Sequence, residues 1–197
     1  MADLPIIDAH HHIWRQADLP WLMGPMQPRI FGPYEPLQRD YPIDEFLGDV
    51  AGHGVSKSIY VQTNWRGGKE VDETRWVQSV ADQHGWPHAI VSYADLAGDN
   101  LGAILGAHSE SPLFRGVRQQ LHWHEKELYR FAATPDIMNG AAWRKGFAEA
   151  LVEAFCEPVV ESWHHERVLV HRRTDRTVPE LGLHQLGVGA RFDEQGC

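Results

Sequence analysis

The chain has 197 residues, 43% hydrophobic and 23% charged, with a formal net charge of −9. That length supports one domain with a sizeable core, and an acidic balance without any basic run excludes nucleic acid as a general partner. The two cysteines, Cys156 and Cys197, do not make a disulfide framework. No apolar run approaches the ~18 residues of a membrane span, and the N-terminus shows no apolar signal-peptide region. A cytoplasmic protein acting on a small molecule, with no membrane partner, is expected.

The first element is "LPIIDAHHHIW", residues 4–14. Leu4 to Ala9 reads as a short buried strand. Strand residues two apart share a face and lie about 6.6 Å apart. His10 and His12 therefore point one way and His11 the other. Two imidazoles on one face can converge on one divalent metal through bonds of ~2.0–2.1 Å. Asp8, on the same face, would orient a ligand histidine. The alternative for a bare His-x-His is a polar strand end with satisfied histidines.

A long irregular stretch follows, from Arg15 to Asp44, with six prolines and with Trp21, Tyr34 and Tyr41. Proline at that density forbids a regular helix, and the aromatic content predicts a packed lid. Helix signals return at "PIDEFLGDVAGHG": a proline, first-turn acids, and Gly54 after the end. "VSKSIYVQTN" is a second strand and "KEVDETRWVQSVADQHG" an amphipathic helix. "PHAIVSYADL", "NLGAILGAHSE", "LFRGVRQQLH" and "GAAWRKGFAEALVEAF" give a third strand, a helix, a fourth strand and a fourth helix. Asp95 reads as a helix N-cap, and Trp14 and Trp65 as pocket walls beside strand ends, with Trp14 against substrate.

Four strands alternating with four helices predict βαβ units on a parallel sheet. No Gly-x-Gly-x-x-Gly follows the first strand, which removes the main support for a dinucleotide fold. Polar residues gather instead at strand ends: His10 and His12, Gln62 and Asn64, Tyr93 and Asp95, Arg118 and His122. Barrel enzymes build their sites on that face.

"IIDAHHHIW", "SIYVQTNW", "FRGVRQQLHWHE" and "RFAATPDIMNGAAWRKGF", in this order, resemble the amidohydrolase-related (amidohydrolase 2) family of the metal-dependent hydrolase superfamily, most nearly its lactonase-like subgroup. The resemblance covers residues 1 to about 150. It implies an α/β fold, an incomplete (β/α)8 TIM barrel holding about the first four units. It implies His10 and His12 as the catalytic pair and as ligands of a divalent metal such as zinc, or as groups acting on substrate without metal. Arg118 matches an arginine that binds carboxylate or hydroxyl groups, and His122 the loop histidine after it. The family's later features are not found: a histidine on the fifth or sixth strand, a late Ser-Asn strand, and the eighth-strand aspartate that serves as ligand or base.

From Cys156 the composition changes. Residues 156–197 contain no Lys, Ile, Tyr, Asn or Met, a bias that sets 1–155 apart as the barrel part and 156–197 as an atypical tail. Two readings stand: a fragment ending in a shifted reading frame, or a metal-binding "HHERVLVH" with His164, His165 and His171. The expected function is hydrolysis of a lactone or ester of a small sugar- or dicarboxylate-derived substrate, weak or absent in a fragment. The alternatives are a nonoxidative decarboxylase of the same superfamily and a non-catalytic fragment.

Overall fold

The computed structural model describes residues 5–27 and 32–156, with 152–156 known as helical backbone alone. Every described side chain falls in one compact unit, Met1–Ala154. The tail from residue 157, with His164, His165, His171 and Cys197, lies outside the described residues.

Four strands and four α-helices alternate: β1 (Ile6–His11), α1 (Ile43–Val50), β2 (Val55–Val61), α2 (Glu70–His84), β3 (Ala89–Ser92), α3 (Leu101–Ser109), β4 (Phe114–Val117) and α4 (Ala141–Cys156). The strands pair in parallel in the order β1-β2-β3-β4. A doubly wound sheet reverses its strand order at a switch point. This one does not reverse, so it is the opening arc of a barrel. The sequence signals explain the helix ends. Pro42 precedes α1, Asp44 and Glu45 occupy its first turn, and Gly85 ends α2 at φ 73°, its N–H bonded to the Ala81 carbonyl.

Sheet and helices enclose two apolar clusters. One joins Ile13, Phe46, Tyr60, Val77 and Ile90 beneath α1 and α2. The other joins Leu96, Leu101, Leu105, Phe114 and Trp143 beneath α3 and α4. A third, smaller cluster lies in the proline-rich stretch, where Leu19, Leu22 and Tyr34 are buried against Trp14, Trp21 and Trp65. That stretch folds into short 3-10 turns at Gln16–Asp18, Pro20–Leu22 and Glu35–Leu37. Its aromatic residues hold it against the mouth of the sheet, as expected of a packed lid.

Three expectations change. The first strand was expected to be buried. In the structure Ile6 is 51% and Ile7 44% exposed, because β1 is an edge strand among the described residues. The third and fourth strands are only four residues long. Beyond them the ladder gives way to side-chain bonds: the Gln119 amide oxygen accepts from Trp143 Nε1 at 2.9 Å and from the Leu96 N–H at 3.3 Å. Asp95 does not cap α3, whose N-cap is Asn100. Its Oδ1 accepts instead from the Ala97 N–H and from Gln119 Nε2, which fixes the turn after β3.

Between the helix layer and the sheet lies a buried polar chain. His108 is fully buried. Its Nε2–H donates to the Tyr93 carbonyl at 2.9 Å, and its Nδ1 lies 2.8 Å from Thr74 Oγ1, which in turn lies 2.6 Å from Ser92 Oγ. Burial holds the His108 imidazole below its ordinary pKa, so it is neutral in the folded state near pH 7. The unfolded chain takes up a proton near pH ~6.5 and the folded one does not. This group's contribution is therefore complete above that pH and is lost as pH falls through the depressed value. Urea unfolding at pH 8 and pH 5 is expected to show lower stability at pH 5, with a shallower fall in His108→Gln.

Helix α4 approaches the turn after β3 so closely that a Cβ on Gly146 would sit 1.9 Å from the Leu96 carbonyl oxygen. Alanine in an open helix position is favoured over glycine by about 1 kcal/mol. Here the clash outweighs that gain, and Gly146→Ala is expected to destabilise by about 1–3 kcal/mol in urea unfolding.

Candidate active site

At the end of β1 one extra residue enters between the Asp8–Ser58 and His11–Tyr60 pairs. Such bulges re-aim side chains at strand ends. His11 turns toward α1. It is 5% exposed, its ring stacks on Phe46 at 4.0 Å, and its Nε2 lies 3.1 Å from Ser58 Oγ. Burial lowers its pKa to about 4, so it is a neutral packing group. His10 and His12 turn the other way, with Nε2 atoms 3.2 Å apart and rings at 84°.

The His12 tautomer follows from its neighbour. Its Nδ1 lies 2.7 Å from the Val61 carbonyl oxygen. A carbonyl only accepts, so Nδ1 carries the proton and Nε2 presents a lone pair toward His10. This is the bond by which metal-binding histidines are commonly oriented. Desolvation keeps His12 below its ordinary pKa, with the Arg118 charge adding in the same direction. Asp8, expected to orient a histidine ring, accepts instead from the His10 backbone N–H at 3.0 Å.

His12 opens into a cavity of about 660 Å³, also lined by Trp14, Trp21, Gln62, Arg118 and Phe131. Trp14 is held by Nε1–H donation to the Arg39 carbonyl at 2.6 Å, and Trp21 by donation to the Thr63 carbonyl at 3.0 Å. Arg118 follows β4, its backbone N–H on the Ser92 carbonyl. Burial lowers its pKa, and its guanidinium reaches the Gln62 carbonyl at 3.5 Å. Four of the five residues expected at the site thus meet here: His10 and His12 side by side, with Trp14 and Arg118 on the cavity wall. His122 is exposed and lines no cavity described; its carbonyl accepts from the Phe131 and Ala132 N–H groups.

The structure adds residues that the sequence reading passed over. Glu73 is 2% exposed. Its Oε1 accepts from the Thr63 N–H at 2.6 Å, Tyr60 Oη at 2.7 Å and Thr63 Oγ1 at 3.0 Å. Burial raises its pKa, and these donors oppose the rise. Glu73 thereby ties the turn after β2 to helix α2. Gln62 is fully buried at the cavity wall, its Oε1 accepting from the Asn64 N–H at 2.6 Å. Asn64 adopts φ 61°, a left-handed conformation that asparagine tolerates better than most residues.

Two imidazole nitrogens bound to one tetrahedral ion at ~2.0–2.1 Å stand about 3.3 Å apart. The 3.2 Å between His10 and His12 fits that geometry, and so does the His12–Val61 bond. Among the described residues no group of three or more His, Cys, Asp or Glu converges as a metal centre. The fit is therefore to two ligand positions.

A parallel sheet in sequential order with a histidine pair at the end of its first strand is the arrangement expected of the opening units of an amidohydrolase-type barrel. No protein-family model matches the sequence. The chain is 35% identical over 154 residues to an uncharacterised protein of Sinorhizobium fredii, y4mH, covering 76% of this chain and 51% of that one. It is 26% identical over 115 residues to an L-fucono-1,5-lactonase of Burkholderia ambifaria, covering 58% of this chain and 36% of the lactonase. A crystal structure of an amidohydrolase from Burkholderia multivorans with bound zinc superposes with a TM-score of 0.53 at 27% identity, covering 74% of this chain and 45% of that one. The chain is thus similar to an amidohydrolase of known structure over 74% of its length, and it spans about half the length, or less, of the relatives it matches. No helix among the described residues is long and apolar enough to cross a membrane.

Replacing Glu73 by alanine leaves the Thr63 N–H unpaired in a buried setting and the Tyr60 hydroxyl with only the Thr63 hydroxyl, at 3.3 Å. Each such group costs about 1–3 kcal/mol. Glu73→Ala is expected to lower stability by about 2–4 kcal/mol in urea unfolding, and Glu73→Gln, which keeps an acceptor oxygen, by clearly less.

Proposed function

We propose that this site belongs to a hydrolase acting on a lactone or ester of a small sugar- or dicarboxylate-derived substrate. The observation that carries the proposal is the His10–His12 pair, Nε2 atoms 3.2 Å apart, beside a cavity that holds an arginine. His10 and His12 are the catalytic pair and the ligands of a divalent ion, zinc by analogy with the Burkholderia multivorans neighbour. When bound, such an ion supplies Lewis acidity and lowers the pKa of water toward ~7.

The chain's own residues do the rest. The Val61 carbonyl holds the proton on His12 Nδ1, leaving Nε2 free to bind or to face the substrate carbonyl. Arg118 anchors a carboxylate or hydroxyl group through charge-assisted hydrogen bonds. Trp14, Trp21 and Phe131 shape the cavity and exclude water from one side of the substrate. Trp65, on the same wall, supplies an indole N–H that has no partner among the described residues.

Turnover by the chain as given is expected to be slow. Two protein ligands bind an ion less tightly than three or four. General-base help of ~10²–10⁴ in rate has no further carboxylate or imidazole converging on this pair among the described residues. The test is lactone hydrolysis with added zinc or manganese, beside calorimetric zinc titration of the same protein. His10→Ala/His12→Ala is expected to abolish zinc binding and whatever turnover exists, while still unfolding cooperatively in urea, at a somewhat lower midpoint because the His12–Val61 bond is lost. Equal turnover and equal zinc binding in the double variant would sink the proposal.

A further inference from the structure

A second cavity, of about 420 Å³, adjoins the first. The two share a wall of Asn64, Trp65, Gly67, Gln120 and Phe131, and their charges are opposite. The described lining of the first includes His12, Arg66 and Arg118 and no carboxylate. That of the second includes Glu70, Glu73 and Asp95 and no Lys, Arg or His.

Three buried side-chain atoms without partners among the described residues line these cavities: Gln62 Nε2 in the basic one, and Trp65 Nε1 and Gln120 Oε1 on the shared wall. Gln62 Nε2, a donor on a fully buried residue of the basic cavity, has no acceptor among the described residues. Glu73 is 2% exposed and lines the acidic cavity, yet all three of its donors sit on Oε1 and none on Oε2. Gln120 Oε1, an acceptor on the shared wall, is buried and unpaired. A buried acceptor without a donor is costly, and Gln120 Oε1, on the wall of both cavities, is such an acceptor. Trp65, Tyr93 and Phe131 add aromatic surface to that cavity. Carboxylates with ring faces are the surroundings that an organic ammonium group favours. Among the described residues these three carboxylates do not converge as a metal centre.

We infer that the substrate is zwitterionic: an anionic or hydroxyl-rich end bound by Arg118 in the basic cavity, and an ammonium group held between Glu70, Glu73 and the Trp65–Tyr93 surface in the acidic one. The inference rests on the proposed reading of the basic cavity as the substrate pocket. It narrows the substrate class to amino-substituted acids and their lactones or esters.

The test is calorimetric titration of the full chain with 6-aminohexanoate, hexanoate and hexylamine, a zwitterion and its two halves. 6-Aminohexanoate is expected to bind at least about fivefold more tightly than hexanoate. That advantage is expected to shrink below about twofold in Glu70→Gln and in Glu73→Gln. Should Glu73→Gln fail to fold, Glu70→Gln carries the same comparison. Arg118→Met is expected to weaken hexanoate and 6-aminohexanoate alike. Equal affinities for the zwitterion and hexanoate, with hexanoate still dependent on Arg118, would overturn the inference and leave the pocket assignment standing. An advantage that survives both glutamate variants would overturn it too. Hexanoate binding that is absent, or indifferent to Arg118→Met, would overturn the pocket assignment itself and the inference with it.

Discussion

The hydrogen bond from His12 Nδ1 to the Val61 carbonyl fastens the end of β1 to the end of β2 at 2.7 Å, and the site is arranged around it. An edge strand is otherwise free to fray, since its outer backbone groups have no partner. Here its last turn is gripped from both faces. On one, His11 is buried against Phe46 and Ser58. On the other, His12 holds the β2 carbonyl and presents Nε2 to His10. The alternation of a strand thus divides three consecutive imidazoles into one packing group and one chemical pair. The neutral state of His11, enforced by burial, keeps a positive charge away from the pair.

The second constraint is the turn from β2 into α2. Thr63 gives its N–H and its hydroxyl to Glu73 and its carbonyl to Trp21. Asn64 then takes a left-handed backbone, which lets its N–H meet the Gln62 side chain. Each of these bonds joins a different layer: helix, lid and strand. The turn forms the partition between the two cavities, so its rigidity sets the relation between their contents. Polar networks of this kind specify one geometry when they are satisfied, because breaking any member exposes a buried donor or acceptor.

The sequence made the order of elements legible because strand and helix periods differ and because Pro42, Gly54 and Gly85 mark ends. The His10–His12 juxtaposition was legible for the same reason: it needs only the two-residue repeat of a strand. Arg118 and Trp14 were placed by their positions at strand ends. What stayed hidden depends on lateral packing. Glu73 stands among first-turn acids of α2, where an exposed role at the helix N-terminus is the ordinary expectation. Only the approach of Tyr60 and Thr63 shows that it is buried. His108 sits at the end of a glycine-weakened helix, and its burial depends on Thr74 and Ser92 arriving from two other elements. The short β3 and β4 were hidden because glutamine and aspartate side chains take over bonds that a longer ladder would have made.

The charge division across that partition also explains why Arg118 has no carboxylate partner among the described residues. Two unit charges at about 4 Å attract by roughly 4 kcal/mol at an effective dielectric of 20. A half-buried guanidinium would therefore draw in any carboxylate that could reach it. Glu70, Glu73 and Asp95 line the adjoining cavity, yet none of them pairs with it. Glu73 is held by Tyr60 and Thr63, Asp95 by Gln119 and the Ala97 N–H, and the Asn64–Gly67 turn stands between. The fold thus holds opposite charges apart at the cost of partly desolvating the arginine, whose lowered pKa records that cost. An arginine neutralised by a protein carboxylate would have little left for an incoming anion. One kept unpaired beside the histidine pair retains its full charge for a substrate group, and the buried bonds of the partition keep it so.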